Sequence, residues 1–207
     1  MDEVYWAAVR TTRLRVADFL DSLSPDDWNA PSLCPEWRVR DVAGHLALVP
    51  TITQWDMVAA APRCRFDPNR INTRLAVRHG SAPPPEIVAT LRRHADDRRT
   101  ARGLDVRNSL FDALVHSQDI ARPLGREFPV PAEHSRMGLE RVWAMGWPFR
   151  ARQRLAGLRL RADDTDWTAG TGADVSGPAV SLLLLLTGRT GAAADGLRGP
   201  GVAVLRS

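Results

Sequence analysis

The sequence predicts a mainly α protein: a bundle of four to five helices over residues 1–155, followed by a small α+β domain over residues 156–207. Three observations predict it. Apolar residues recur at helical spacing through most of the first 155 positions. Prolines and glycines separate these stretches. After Gly157 the pattern changes to strict alternation in Leu158-Arg159-Leu160-Arg161-Ala162, the period of a half-buried strand.

The elements follow in order. Val4, Ala7, Ala8, Leu14, Val16, Phe19, Leu20 and Leu23 mark one face of a first helix, stopped by Ser24-Pro25-Asp26-Asp27. Trp28 to Trp37 holds Pro31 and Pro35 and is read as a loop packed down by its two tryptophans. A second helix starts near Val39 or Arg40 and runs toward Ala60, with Pro50 kinking or dividing it, because proline removes a backbone donor and clashes with the preceding turn. Residues 61–82 are expected to be loop with a short helical stretch. Glu86 opens a third helix after Pro83-Pro84-Pro85. A fourth spans about Val106 to Ala121, ended by Pro123 and Gly125. A fifth covers about Pro131 to Ala156, with Pro148 interrupting its middle. Beyond the first strand, Asp163 to Asp166 reads as a turn and Trp167-Thr168-Ala169 as the start of a returning strand. Pro178 at the head of Ala179 to Leu186 marks a helix start and Gly188 its end. Val202 to Leu205 is expected to be a last short strand.

Composition narrows the function classes. The chain has 207 residues, 44% hydrophobic and 25% charged, ordinary for a globular protein with a real core. All 28 basic residues are arginine, against 24 acids, for a net charge of +4. The arginines are interleaved with acids: Arg92, Arg93, Arg98, Arg99 and Arg102 sit beside Asp96, Asp97 and Asp105. No run of five like charges, zinc-finger spacing or aromatic-basic motif appears, so nucleic acid is not an expected partner. Two cysteines, Cys34 and Cys64, make no disulfide framework. The start, MDEVYWAAVRTTR, lacks the charge and apolar core of a signal peptide, and Ala179 to Leu186 is too short to span a bilayer. A cytoplasmic protein with reduced thiols and no membrane association is expected. A homodimer is compatible with the chain, although no motif encodes one.

One constellation carries chemistry. Asp112 and His116 stand four apart on the fourth helix, so they return to nearly the same face. A carboxylate and an imidazole so placed can converge on one ion. His45 lies inside the apolar stretch Val42-Ala43-Gly44-His45-Leu46-Ala47, where both ring nitrogens need partners without water. A metal ion satisfies one nitrogen and an outer acceptor the other. The bland reading stands beside it: a core histidine with ordinary hydrogen bonds, and an Asp-x-x-x-His pair arising by chance. His79, His94 and His134 lie in polar, arginine-rich or loop contexts and read as surface residues.

Three segments, in order, bear a resemblance to a known family. Trp28 to Leu46 reads WNAPSLCPEWRVRDVAGHL, Asp112 to Gly125 reads DALVHSQDIARPLG, and the tail reads LRLRADDTDWTAGTG followed by VSGPAVSLLLLLTGRT. Together they resemble the mycothiol-dependent maleylpyruvate isomerase family: a DinB-like bundle with a small C-terminal domain. The resemblance implies a divalent metal, typically zinc, held by His45, Asp112 and His116. The isomerase itself carries Glu at the acid position, so Asp112 reaches one methylene less. The resemblance further implies mycothiol as a low-molecular-weight thiol cosubstrate and a small electrophilic metabolite as substrate. Three protein ligands leave an open position, the pattern of a catalytic rather than a structural site. Two chemistries follow. A metal-activated thiolate suits an isomerase or thiol transferase; a metal-activated water suits a hydrolase. A non-catalytic small-molecule-binding bundle is a third reading.

The supporting residues keep two readings each. Asp119 either orients the His116 imidazole, a catalytic support, or pairs with Arg122 or Arg126. Arg189 either holds an anionic substrate through its planar guanidinium or complements a helix C-terminus. Cys34 is read as a packed small residue rather than a nucleophile, and Gln118 as solvent-facing. Trp37 is expected to pack the loop and Asp41 to serve the following helix N-terminus.

Overall fold

The computed structural model describes residues 2–98 and 105–206; Arg99 and Arg102 lie outside the described residues. The chain divides into two compact units, Met1–Phe128 and Pro129–Ser207. The sequence reading drew the division after residue 155. Residues 129–155 fall in the second unit because the helix Ala132–Ala144 packs on the apolar helix Ala179–Leu186.

The first unit is all helical: α1 (Asp2–Asp21), α2 (Pro25–Asn29), α3 (Val39–Leu48), α4 (Gln54–Ala60), α5 (Pro68–Gly80), α6 (Pro84–Arg93) and α7 (Asn108–Ala121). Pro50 does divide the second predicted helix: α3 ends at Leu48, and Thr53 starts α4 afresh, its Oγ1 accepting from Asp56 N while Asp56 Oδ2 accepts from Thr53 N. Residues 61–82 are more ordered than expected. After a 3-10 turn at Pro62–Cys64 they form the 13-residue helix α5. Two local signals start it: Asp67 Oδ1 accepts from Asn69 N and Arg70 N, and Pro68 sits at the first helical position.

α3 is the central element, buried from Val39 to Leu48 except at Arg40 and packed against α5, α6 and α7. Its contact with α5 depends on a glycine pair. A Cβ on Gly44 would stand 2.2 Å from Gly80 N, and one on Gly80 would stand 2.6 Å from Arg40 O. Only two bare backbones fit at this crossing. Arg40 closes it, donating from Nη2 to Ala82 O at 3.1 Å and from Nε to Gly80 O. α1 lies against α6 and α7. Its buried Arg13 donates from Nη1 to the carbonyls of His94, Ala95 and Asp97, closing the end of α6.

The second unit holds α8 (Ala132–Ala144), α9 (Ala151–Arg154), β1 (Leu158–Ala162), β2 (Thr168–Gly170), β3 (Ala173–Gly177), α10 (Ala179–Leu186) and α11 (Thr190–Ala194). The strand order is β2-β1-β3. β1 pairs antiparallel with β2, Leu160 opposite Ala169, and parallel with β3, Leu160 opposite Val175. β3 was not read from the sequence, since Ala173-Asp174-Val175-Ser176-Gly177 offers a single large apolar side chain. Val202 to Leu205 lies in a 3-10 helix, Pro200–Arg206, rather than a strand. The backbone there approaches the sheet too closely for a side chain: a Cβ on Gly201 would lie 2.7 Å from Val175 Cγ2. α10 is apolar around its whole circumference and is buried accordingly. Asp164 Oδ1 accepts from Ala179 N at its start, and Arg154 Nη2 donates to Leu185 O and Leu186 O at its end.

Among the described residues, no helix is long and apolar enough to cross a membrane.

Candidate metal centre

Three parts of the first unit meet at one place. α3 carries His45 inward because eight of its ten residues besides His45 itself face the core. α7 carries Asp112, His116 and Asp119 on one face, at helical spacing. The loop between α2 and α3 brings Cys34 and Trp37. That loop is held at its base by Val39 N to Ala30 O and is tied to α7 by Leu33 N to Asp119 O at 3.0 Å. Asp41 Oδ2 accepts from Arg38 N at 3.0 Å, so the carboxylate serves the start of α3 as expected.

Asp112 faces both imidazoles. Its Oδ2 lies 3.3 Å from His45 Nε2 and its Oδ1 lies 3.6 Å from His116 Nε2. One donor atom from each residue of the set falls within 4.8 Å of the others. The two imidazole centroids are 4.9 Å apart. The shorter acid therefore still reaches both rings.

His45 is 8% exposed, and neither of its ring nitrogens makes a hydrogen bond with a described residue; the approach of Nε2 to Asp112 is close but poorly directed. His116 is anchored from behind. Its Nδ1 lies 2.8 Å from Oδ2 of the fully buried Asp119. Cys34 Sγ donates to the same oxygen at 3.1 Å and lies 3.6 Å from His116 Nδ1. Cys34 is thus a buried free thiol with polar partners, more than the packed apolar residue the sequence suggested. No sequence signal linked it to Asp119, 85 positions away. Burial disfavours the imidazolium of His116, but the Asp112 carboxylate, the hydrogen bonds with Asp119 and Cys34, and the Asp119 charge outweigh it. The His116 pKa rises well above 6.5. Trp37 covers the pair, its ring centroid 5.5 Å from that of His45 and 6.1 Å from that of His116, nearly parallel to the latter.

The donor set, one carboxylate and two imidazoles, suits a divalent cation, and the unsatisfied His45 is the atom such a cation would complete. Cys34, His116 and Asp119 form a second group with donor atoms within the same 4.8 Å limit. Its atoms already bond one another, so it lacks the orphaned nitrogen that distinguishes the first.

Other expected residues fall elsewhere. Gln118 is buried, not solvent-facing: its Nε2 donates to Phe128 O at 2.8 Å and its Oε1 accepts from Arg122. His79, His94 and His134 are half-buried rather than on the open surface. Of the two readings for Asp119, its carboxylate meets His116, while Arg126 pairs with Asp27. Arg189 lies in the second unit, its Nη1 donating to Thr187 O at the end of α10, a helix-terminus contact.

The fold and site define a mainly α protein with a histidine–aspartate cluster in its helical bundle and a small α+β unit after it. Residues 9–102 match the family model of the mycothiol maleylpyruvate isomerase N-terminal domain. The crystal structure of the mycothiol-dependent maleylpyruvate isomerase is similar at a TM-score of 0.64, with 15% identity, over 96% of this chain and 92% of that one. The crystal structure of a histidine-to-alanine mutant of that isomerase is similar at 0.61, with the same identity and coverage. At this identity the likeness is one of fold. No curated protein matches the chain.

Proposed function

We propose that the chain is a divalent-metal-dependent, mycothiol-dependent enzyme, an isomerase or thiol transferase acting on a small electrophilic metabolite. His45, Asp112 and His116 are the proposed ligands, and zinc the proposed metal. The observation that carries the reading is His45: a buried imidazole without a hydrogen bond to any described residue, facing a carboxylate and a second imidazole already held from behind. Leaving such a group unpaired costs about 1–3 kcal/mol, a penalty that a bound cation removes. The family of the N-terminal domain supports mycothiol as the thiol.

A cation bound there would supply Lewis acidity and lower the pKa of a thiol, making thiolate available near neutral pH. The chain's own residues prepare the place. Asp119 accepts the Nδ1 proton of His116, which selects the tautomer whose Nε2 lone pair faces Asp112. Asp119 is therefore a positioning residue. Trp37 shields one side of both imidazoles, lowering the local dielectric around the Asp112 charge. For Arg189 the proposed role is the helix end: KM should be unchanged in Arg189→Gln, and a raised KM would assign it to the substrate instead.

The test is metal analysis of purified protein with His45→Ala and His116→Ala, alongside assays with and without mycothiol. Stoichiometric metal in the wild type and loss in both variants is expected, with turnover only when thiol is present. Full metal retention in both variants would remove the site. Hydrolysis without added thiol would favour metal-activated water.

A further inference from the structure

The outward face of α5 forms one wall of a groove of about 630 Å³, open to solvent, whose other side is the loop carrying Glu36. That volume suits a small organic molecule. Arg70, Arg74 and Arg78 stand four residues apart in succession, so their side chains line up along one helical face, with Asn69 and Thr73 beside them. The opposite face of α5, Ile71, Leu75, Ala76 and Gly80, is buried, which fixes the arginine face outward.

The groove arginines keep donors in reserve. Several other exposed arginines of the first unit are engaged by carboxylates: Arg92 meets Asp18 and Asp21, Arg98 meets Glu3, and Arg107 meets Asp105. In the groove, Arg70 reaches Asp67 only at 3.7 Å. Arg74 and Arg78 make no hydrogen bond or ion pair with any described residue. Three like charges at this spacing repel along the helix. Glu36 is the single carboxylate among the lining residues, so the groove keeps a net positive charge.

We propose that this groove binds a small polyanion, a ligand with clustered oxyanion groups, at a site separate from the His45–Asp112–His116 cluster. Two guanidiniums with unused donors match phosphate or carboxylate oxygens in bidentate fashion. The Asn69 amide and the Thr73 hydroxyl supply neutral hydrogen bonds for the rest of the molecule. The groove also has a built-in reporter. Trp37 Nε1 donates to Thr73 Oγ1 at 3.3 Å, so an occupant that engages Thr73 disturbs the indole that lies against His45 and His116.

The experiment is isothermal titration of the full chain at fixed ionic strength with two probes, inorganic phosphate and tricarballylate, the latter chosen because it chelates metals weakly. Saturable one-to-one binding of at least one probe is expected. The Arg74→Gln/Arg78→Gln double variant should weaken it at least tenfold, while Arg93→Gln, the same charge change on α6, should leave it within twofold. Both substituted groove arginines are exposed, so the fold should survive, and an unchanged melting temperature checks this. Binding should also change tryptophan emission, and Trp37→Phe should abolish that change. Phosphate alone binding points to a phosphate ester; tricarballylate alone points to a polycarboxylate. No saturable binding of either probe, survival of binding in the double variant, or equal weakening by Arg93→Gln overturns the proposal. Because Arg74, Arg78 and Arg93 lie outside the proposed ligand set, metal content should be equal in the wild type and the arginine variants, which keeps this test independent of the metal reading.

Discussion

Asp119 holds His116 from behind: its fully buried Oδ2 lies 2.8 Å from His116 Nδ1. If that contact sets the tautomer of a metal ligand, Asp119→Asn should fold and yet bind zinc more weakly. Outer partners of metal-bound histidines typically contribute about 10–100-fold in affinity. A competition titration with a chromogenic chelator reads the change, and an unchanged affinity would reduce Asp119 to a packing residue.

Direct ligands should matter more. His45→Ala and His116→Ala should each lose more zinc affinity than Asp119→Asn. Asp112→Glu keeps the charge on an arm one methylene longer and should keep bound metal, whereas Asp112→Asn, lacking the charge, should release it. Metal content after gel filtration checks the series.

The raised pKa of His116 gives a signed dependence on pH. In metal-free protein its folded value lies well above 6.5. The stability it contributes is fully present below about pH 6.5, the unfolded value, and is lost as pH rises through the folded value. The difference in melting temperature between chelator-treated wild type and His116→Gln should therefore be largest in mild acid and shrink in mild alkali. Zinc should reverse the trend for the wild type, because the ligand nitrogen must be unprotonated. Calorimetric melts across the range, with and without zinc, read both arms.

The helix crossing beneath the site is equally testable. Gly44→Ala places a Cβ 2.2 Å from the backbone nitrogen of Gly80, and no side-chain rotation relieves a clash with backbone. Overpacking of this kind costs about 1–3 kcal/mol. Thermal or urea unfolding should show a loss in that range, and because His45 is the next residue, metal affinity should fall with it.

Much of this arrangement was legible before any coordinates. Local pattern puts Asp112 and His116 on one face of a helix and His45 in an apolar run, but spacing alone leaves the ordinary core-histidine reading open, and it is the resemblance of three segments that groups the three residues. Pro50 and the alternation Leu158 to Ala162 likewise announce themselves. The misreadings have a common physical origin. α5 is polar and arginine-rich on its exposed face, so its weak apolar stripe of Ile71, Leu75 and Ala76 did not stand out. The 3-10 turn at Val202–Leu205 is imposed by the close approach of Gly199 and Gly201 to β3 and overrides the β-branched sequence. The role of Cys34 depends on a contact between distant segments, which no local pattern encodes.

The tie between Leu33 N and Asp119 O, with the Cys34 thiol beside it, joins segments 85 residues apart in the case of Cys34 and Asp119. Closing a chain over that span forfeits loop entropy, and contacts of such separation are slow to form. The cluster is thus assembled only when α7 has docked on the loop between α2 and α3. A fragment ending before α7 contains His45 and Trp37 yet offers no pocket for an ion. During refolding, metal uptake would become a clock for this docking event, starting only after the helical signal of the first unit has largely returned.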